Sequence, residues 1–138
     1  MPHITIEYSA NVEKDVDVRS LVHAIHLAAI ESGVFELAAI RTRATRREIY
    51  EIADGDPDNA FIHVDVNLAP GRGAEVRRGV AQAMLDTLGK ATEAVAARSG
   101  LALSVEVRQI DNATAQRRNN LHQRLASKRG ASAAQTRS

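Results

Sequence analysis

The strongest constraint on this chain is a change of hydrophobic period, from two residues to about three and a half and back, that occurs twice in the same order. Residues 2–8 alternate: Ile4, Ile6 and Tyr8 fall on one face, and His3, Thr5 and Glu7 on the other, which predicts a half-buried strand. Asp15 and Asp17 are N-cap candidates. Val18, Leu21, Val22, Ile25, Ala28 and Ala29 follow at helical spacing and Gly33 is a natural stop, so a helix is expected over roughly 16–32. Residues 39–45 alternate again, with Ile40, Thr42 and Ala44 opposed to Arg41, Arg43 and Thr45. After the turn cluster Asp54-Gly55-Asp56-Pro57-Asp58-Asn59 the order repeats. Residues 60–68 form the clearest strand, broken by Ala69-Pro70-Gly71-Arg72-Gly73. A helix is then expected over about 74–98, carrying Val76, Val80, Ala83, Met84 and Leu88 on one face and ending at Gly100. Leu101, Leu103, Val105 and Val107 alternate as a last strand.

Two βαβ units of similar length imply an α/β (α+β) fold built by duplication, a four-stranded mixed sheet with two helices on one face. The other face of the sheet is expected to carry apolar positions as well. No third layer is present in the sequence to cover them, so another subunit is the expected cover. Past Ile110 the pattern fades, and residues 126–138 read as a basic, disordered tail. Charge follows the same division: residues 1–108 hold 12 basic and 16 acidic side chains, residues 109–138 six and one.

Composition removes several classes of function. There is no cysteine, hence no disulfide, thiolate metal site or cysteine nucleophile. Two Phe, two Tyr and no Trp leave no aromatic platform for stacking bases. No apolar run has membrane-spanning length, and the first residues lack a signal-peptide pattern, so a cytoplasmic protein is expected.

Pro2 is the first candidate for chemistry. Once Met1 is removed, its ring nitrogen is a free secondary amine, and desolvation or a nearby cation would hold that amine neutral and basic. Its ring fixes φ, which suits a positioned base; equally, proline commonly opens an edge strand. Arg72 stands in Pro70-Gly71-Arg72-Gly73, just before a helix N-terminus that favours anions, and adds a fork that fits a carboxylate. An ordinary exposed loop arginine has the same spacing. Arg41 and Arg43 share a strand face, and Arg43, Arg46 and Arg47 are expected simply to be solvated. His23 and His26 have no carboxylate or third ligand to make a metal site, whereas His3 and His63 lie on strands that could bring them together. No serine has a nucleophile-elbow context, and the glycine-rich loop lacks the lysine of a P-loop.

Taken in order, these segments point to a family. Met1-Pro2-His3-Ile4-Thr5-Ile6-Glu7-Tyr8-Ser9, Gly33-Val34-Phe35, Ile40-Arg41-Thr42-Arg43 and Ile52-Ala53-Asp54-Gly55 are similar to it. So are Ala60-Phe61-Ile62-His63-Val64 leading to Gly71-Arg72, Leu101-Ala102-Leu103-Ser104 and Asn119-Asn120-Leu121-His122. The chain resembles the 5-carboxymethyl-2-hydroxymuconate isomerase family, within the tautomerase superfamily that carries an amino-terminal proline, over residues 2 to about 125. Residues 44–50 depart from the more aromatic segment of that family.

The resemblance implies a single tautomerase-like domain over residues 1–125, a homotrimer with active sites near subunit contacts, and no cofactor or metal. It implies that Pro2 moves a proton within a 2-hydroxymuconate-type dienol carboxylate from bacterial aromatic degradation. Arg41 and Arg72 would bind the carboxylates or stabilise the dienolate, and their charge would help keep Pro2 neutral. Two other readings compete with it. One is a non-catalytic trimeric binder of small carboxylates on the same fold. The other is nucleic-acid association through the basic tail, which the acidic domain argues against.

Overall fold

The computed structural model describes residues 2–137, with side chains described as far as residue 131; Met1 and Ser138 lie outside the described residues. Four strands form one mixed sheet: β1 (His3–Ser9), β2 (Arg41–Arg47), β3 (Ala60–Leu68) and β4 (Leu101–Gln109), in the order β2-β1-β3-β4. β1 runs parallel to β2 and β3 parallel to β4, while β1 and β3, the two inner strands, are antiparallel. Each parallel pair is joined by a helical crossover, α1 (Val18–Glu31) in the first unit and α2 (Ala74–Ala91) with α3 (Glu93–Arg98) in the second. The duplicated βαβ architecture is therefore present as the alternation predicts.

The core lies between the sheet and α1 and α2. Ile4, Ile6, Ile62, Val64, Val66 and Leu68 are fully buried on one face, against Leu21, Ile25 and Ala29 of α1 and Val80, Met84 and Leu88 of α2. Burying each large aliphatic side chain contributes about 1.5–3 kcal/mol, so this layer outweighs the exposed ion pairs of the opposite face. Asp17 caps α1 by accepting from the Arg19 amide, and Gly33, at φ +68°, turns the chain out of it in the left-handed conformation that glycine tolerates best.

Several expectations are corrected. The opposite face of the sheet is polar: strict alternation sends nearly every apolar side chain to the helices and leaves His, Thr, Glu, Arg, Asp, Asn and Ser on the other side. Phe61 is the large apolar exception, and Tyr50 packs edge-on against it at 6.5 Å. An apolar open face thus supplies no argument for a covering subunit. The long second helix is interrupted at Thr92, whose hydroxyl donates to the Leu88 carbonyl at 2.7 Å from a buried position. Residues 37–39 form a short 3-10 turn, so β2 begins at Arg41.

Residues 126–137 of the stretch expected to be disordered are instead part of α4 (Leu121–Arg137), and Ser138 lies outside the described residues. Asn119 starts the helix, accepting from the Leu121 amide at 2.8 Å while its side-chain amide donates to the Ala38 carbonyl at 3.0 Å. Alanine, arginine, lysine and glutamine then carry the helix by intrinsic propensity, without an apolar stripe. The sequence signal that was missing is hydrophobic periodicity, which reports packing rather than helicity.

Ile6→Ala is expected to cost about 2–5 kcal/mol by denaturant unfolding, because Ile6 is fully buried in the middle of the central strand.

Candidate active site

The site is built from the start of β1 outward. Pro2 is buried and precedes the first residue of the strand. Its carbonyl accepts from the Arg41 amide at 3.3 Å, and the register continues with His3 opposite Arg41 on one side and Asn67 on the other. The residue before a doubly paired inner strand is thereby tied down rather than frayed. Removal of Met1, on which a free Pro2 amine depends, lies outside the described residues.

The same topology collects the candidate arginines at this end of the sheet. Arg41 opens β2 beside Pro2 and is half-buried. Thr42 faces the helices, its hydroxyl 2.8 Å from His26 Nδ1, so Arg41 and Arg43 point to the open face. β3 runs antiparallel to β1, so its last residue, Leu68, and the loop carrying Arg72 arrive at the Pro2 end as well. Arg72 Nε and Nη2 donate to the Val34 carbonyl at 3.3 and 2.9 Å, and its guanidinium lies 5.3 Å from the Phe35 ring centroid. It therefore clamps the β3–α2 loop onto the turn that ends α1, with further donors left for an anion. Gly73 caps α2 without a side chain, so the amides of that helix start adjoin Arg72. The structure thus joins Pro2 and Arg41 directly and holds Arg72 on Val34 and Phe35.

From sequence, Arg43 belongs to a solvated face; in the structure its Nη1 lies 3.0 Å from His3 Nδ1. A guanidinium can only donate, so Nδ1 accepts and the imidazole is neutral, with its proton on Nε2. Burial, with Arg43 and then Arg41 beside it, pushes the His3 pKa below its ordinary 6.5. The pairing depends on the parallel register of β1 and β2, which alternation in either strand does not disclose. Arg46 pairs with Glu13 and Glu48, and Arg47 with Glu7. His3 and His63 do not meet: β1 pairs His3 with Asn67 and Glu7 with His63, four residues apart along the strand.

Among the described residues, one group has the geometry to hold a cation. His63, Asp65 and Glu106 present ligand atoms within 4.8 Å of one another on the open face. Arg108 already neutralises both carboxylates, its Nε 3.3 Å from Asp65 Oδ1 and its Nη2 2.7 Å from Glu106 Oε2. Asp65 Oδ1 is buried, and this ion pair falls short of a directed hydrogen bond. A metal ion would have to displace the guanidinium.

Because the folded pKa of His3 lies below the unfolded value, stability from its neutral form is complete above pH 6.5 and is lost as pH falls from 6.5 through the folded value. An NMR titration should place His3 below 6.5, and Arg43→Gln should raise it; a His3 value above 6.5 in the native protein contradicts the assignment.

Comparison with known proteins identifies the family. The family model for 5-carboxymethyl-2-hydroxymuconate isomerase matches residues 2–125. A 5-carboxymethyl-2-hydroxymuconate Delta-isomerase of Escherichia coli is 28% identical over 122 residues, covering 88% of this chain and 97% of that protein. The crystal structure of a 5-carboxymethyl-2-hydroxymuconate isomerase from Deinococcus radiodurans R1 is 30% identical and superposes with a TM-score of 0.84, over 90% of this chain and 93% of that one. A fused 4-OT symmetric trimer, 14% identical with a TM-score of 0.59 over 83% of this chain and 92% of that one, shares the fold. On the match across residues 2–125, the chain belongs to the 5-carboxymethyl-2-hydroxymuconate isomerase family.

Proposed function

We propose that this chain is a cofactor-independent isomerase that moves a proton within a 2-hydroxymuconate-type dienol carboxylate, as a cytoplasmic homotrimer in the degradation of aromatic compounds. The single observation that carries the reading is the placement of Pro2. It is buried, bonded through its carbonyl to Arg41, and stands at the start of an inner strand in a chain of this isomerase family.

The chemistry needs one base. With Met1 removed, the Pro2 amine takes the proton of the C2 hydroxyl: the O–H bond breaks, and the oxygen's electron pair closes the carbonyl. The electrons of the conjugated chain then collect the same proton from Pro2 at its far carbon, forming a C–H bond. The dienol becomes an unsaturated ketone, and the base is regenerated. Arg41 and Arg72 hold the carboxylates and stabilise the dienolate charge that develops between the two transfers. Their positive charge also disfavours the protonated amine, so the groups that bind the anion keep the base ready. The name of the Escherichia coli relative and the symmetric trimer formed by the fused 4-OT support the substrate class and the assembly.

Addition of the protein to 2-hydroxymuconate should abolish the ultraviolet absorbance of the conjugated dienol. Pro2→Ala should lower kcat by about 10²–10⁴-fold, the range for loss of a positioned general base; full activity in that variant would sink the mechanism. Intact mass spectrometry should show a mature chain beginning at Pro2, and light scattering a mass of three chains. Retention of Met1 in active protein contradicts the assignment of the amine.

A further inference from the structure

Arg72 is held from two sides before any ligand arrives. Its Nε and Nη2 both donate to the Val34 carbonyl, at 3.3 and 2.9 Å, and the centre of its guanidinium stands 5.3 Å from the centroid of the Phe35 ring. The carbonyl fixes one edge of the guanidinium plane, and the ring covers one face. The main chain of Arg72 is held as well, because Arg77 Nε donates to its carbonyl at 3.2 Å. A free arginine side chain has several rotatable bonds, and a ligand that has to order them loses affinity in doing so. At Arg72 the fold supplies that order.

The holding groups are themselves firm. Phe35 is buried and belongs to the core. The Val34 carbonyl stands on the turn that ends α1. There Gly33 takes φ +68°, and the Ser32 hydroxyl donates to the Ala29 carbonyl at 2.6 Å and accepts from the Val34 amide at 3.2 Å. The clamp also decides how an anion can approach. A guanidinium offers a carboxylate two edges for paired hydrogen bonds, one formed by Nε with Nη2 and the other by Nη1 with Nη2. The Val34 carbonyl occupies the first edge. Among the described residues, Nη1 donates to no protein atom, so the second edge is the one left to a ligand.

We propose that Phe35 and the Val34 carbonyl are positioning groups for Arg72, and that they present its Nη1–Nη2 edge to the substrate carboxylate. This rests on the function proposed above and adds two residues that lie outside its catalytic and binding set. Phe35 acts through Arg72 alone. It takes no part in proton transfer, and its worth is that the guanidinium is already in place when the anion enters.

A double-mutant cycle read by ligand binding separates positioning from packing. The probe is trans,trans-muconate, which lacks the hydroxyl whose proton is transferred and is not turned over. By calorimetric titration, Phe35→Leu, which stays apolar but removes the ring, should bind muconate about three- to tenfold more weakly than the native protein. Phe35→Tyr, which keeps the ring, should bind it within about twofold of native. In the Arg72→Gln background, Phe35→Leu should cost no further affinity to within about twofold, whereas a packing defect that spread through the site would weaken binding in both backgrounds. An equal loss in the two backgrounds, or native affinity in Phe35→Leu, overturns the clamp. The native protein gives a second readout that holds even where Phe35→Leu does not fold. In nitrogen-15 spectra, saturation with muconate should shift the Arg72 Nη signals more than the Nε signal, and the reverse order overturns the assignment of the edge. Failure of the wider reading looks different. If Arg72→Gln binds muconate as tightly as the native protein, Arg72 holds no carboxylate and its proposed role falls with the clamp. If Arg72→Gln weakens binding and Phe35→Leu does not, the clamp alone is overturned.

Discussion

β1 is hydrogen-bonded on both sides along nearly all of its length, and the rest of the molecule depends on that pairing. Parallel pairing with β2 and antiparallel pairing with β3 place Ile4 and Ile6 at the centre of the core. The ladder also reaches past the strand, because the Arg41 amide bonds to the Pro2 carbonyl. A chain terminus normally lies at the low-stability end of a protein. Pro2, on which the proposed chemistry rests, thereby inherits the rigidity of the inner strand.

The same pairing decides what surrounds Pro2. Parallel connection through α1 brings the start of β2, and with it Arg41 and Arg43, to the start of β1. Antiparallel connection brings the end of β3 and the Arg72 loop to the same place. The cations therefore gather at one end of the sheet by topology. On the open face Glu7 pairs with Arg47 at the far end, and Arg108, level with His3, pairs with Asp65 and Glu106. Arg41 and Arg72 at the Pro2 end suit a base whose working form is uncharged, as the proposed mechanism requires.

Alternation made the four strands legible in the sequence, and β3 spans the residues it marked, Ala60–Leu68. Asp17 and Gly33 marked α1 because caps and left-handed glycines are local chemistry. What sequence could not show is what depends on register. The contact between Arg43 and His3 exists only because β1 and β2 are aligned as they are, and the separation of His3 from His63 follows from the alignment of β1 with β3. The second helix breaks at Thr92, whose backbone leaves helical geometry (φ −118°, ψ 17°), a break that its identity permits but does not require. α4 was missed for the opposite reason: its helicity is local, held by propensity and the Asn119 cap, and carries no apolar stripe. For the candidate site, Pro2 and Arg41 prove to be neighbours, whereas the clamp of Arg72 on Val34 and Phe35 is a tertiary contact that its glycine-rich context did not indicate.

The central claim is that Pro2 works as a neutral amine. It is tested most directly by nitrogen-15 NMR titration of the protein labelled at proline, followed through the resonance of the terminal ring nitrogen. The account predicts a pKa below the range of about 7.7–8.0 for an ordinary α-amine, with the same value on the acid limb of kcat/KM. A terminal amine titrating within or above that range, or no titrating proline nitrogen in active protein, would contradict it.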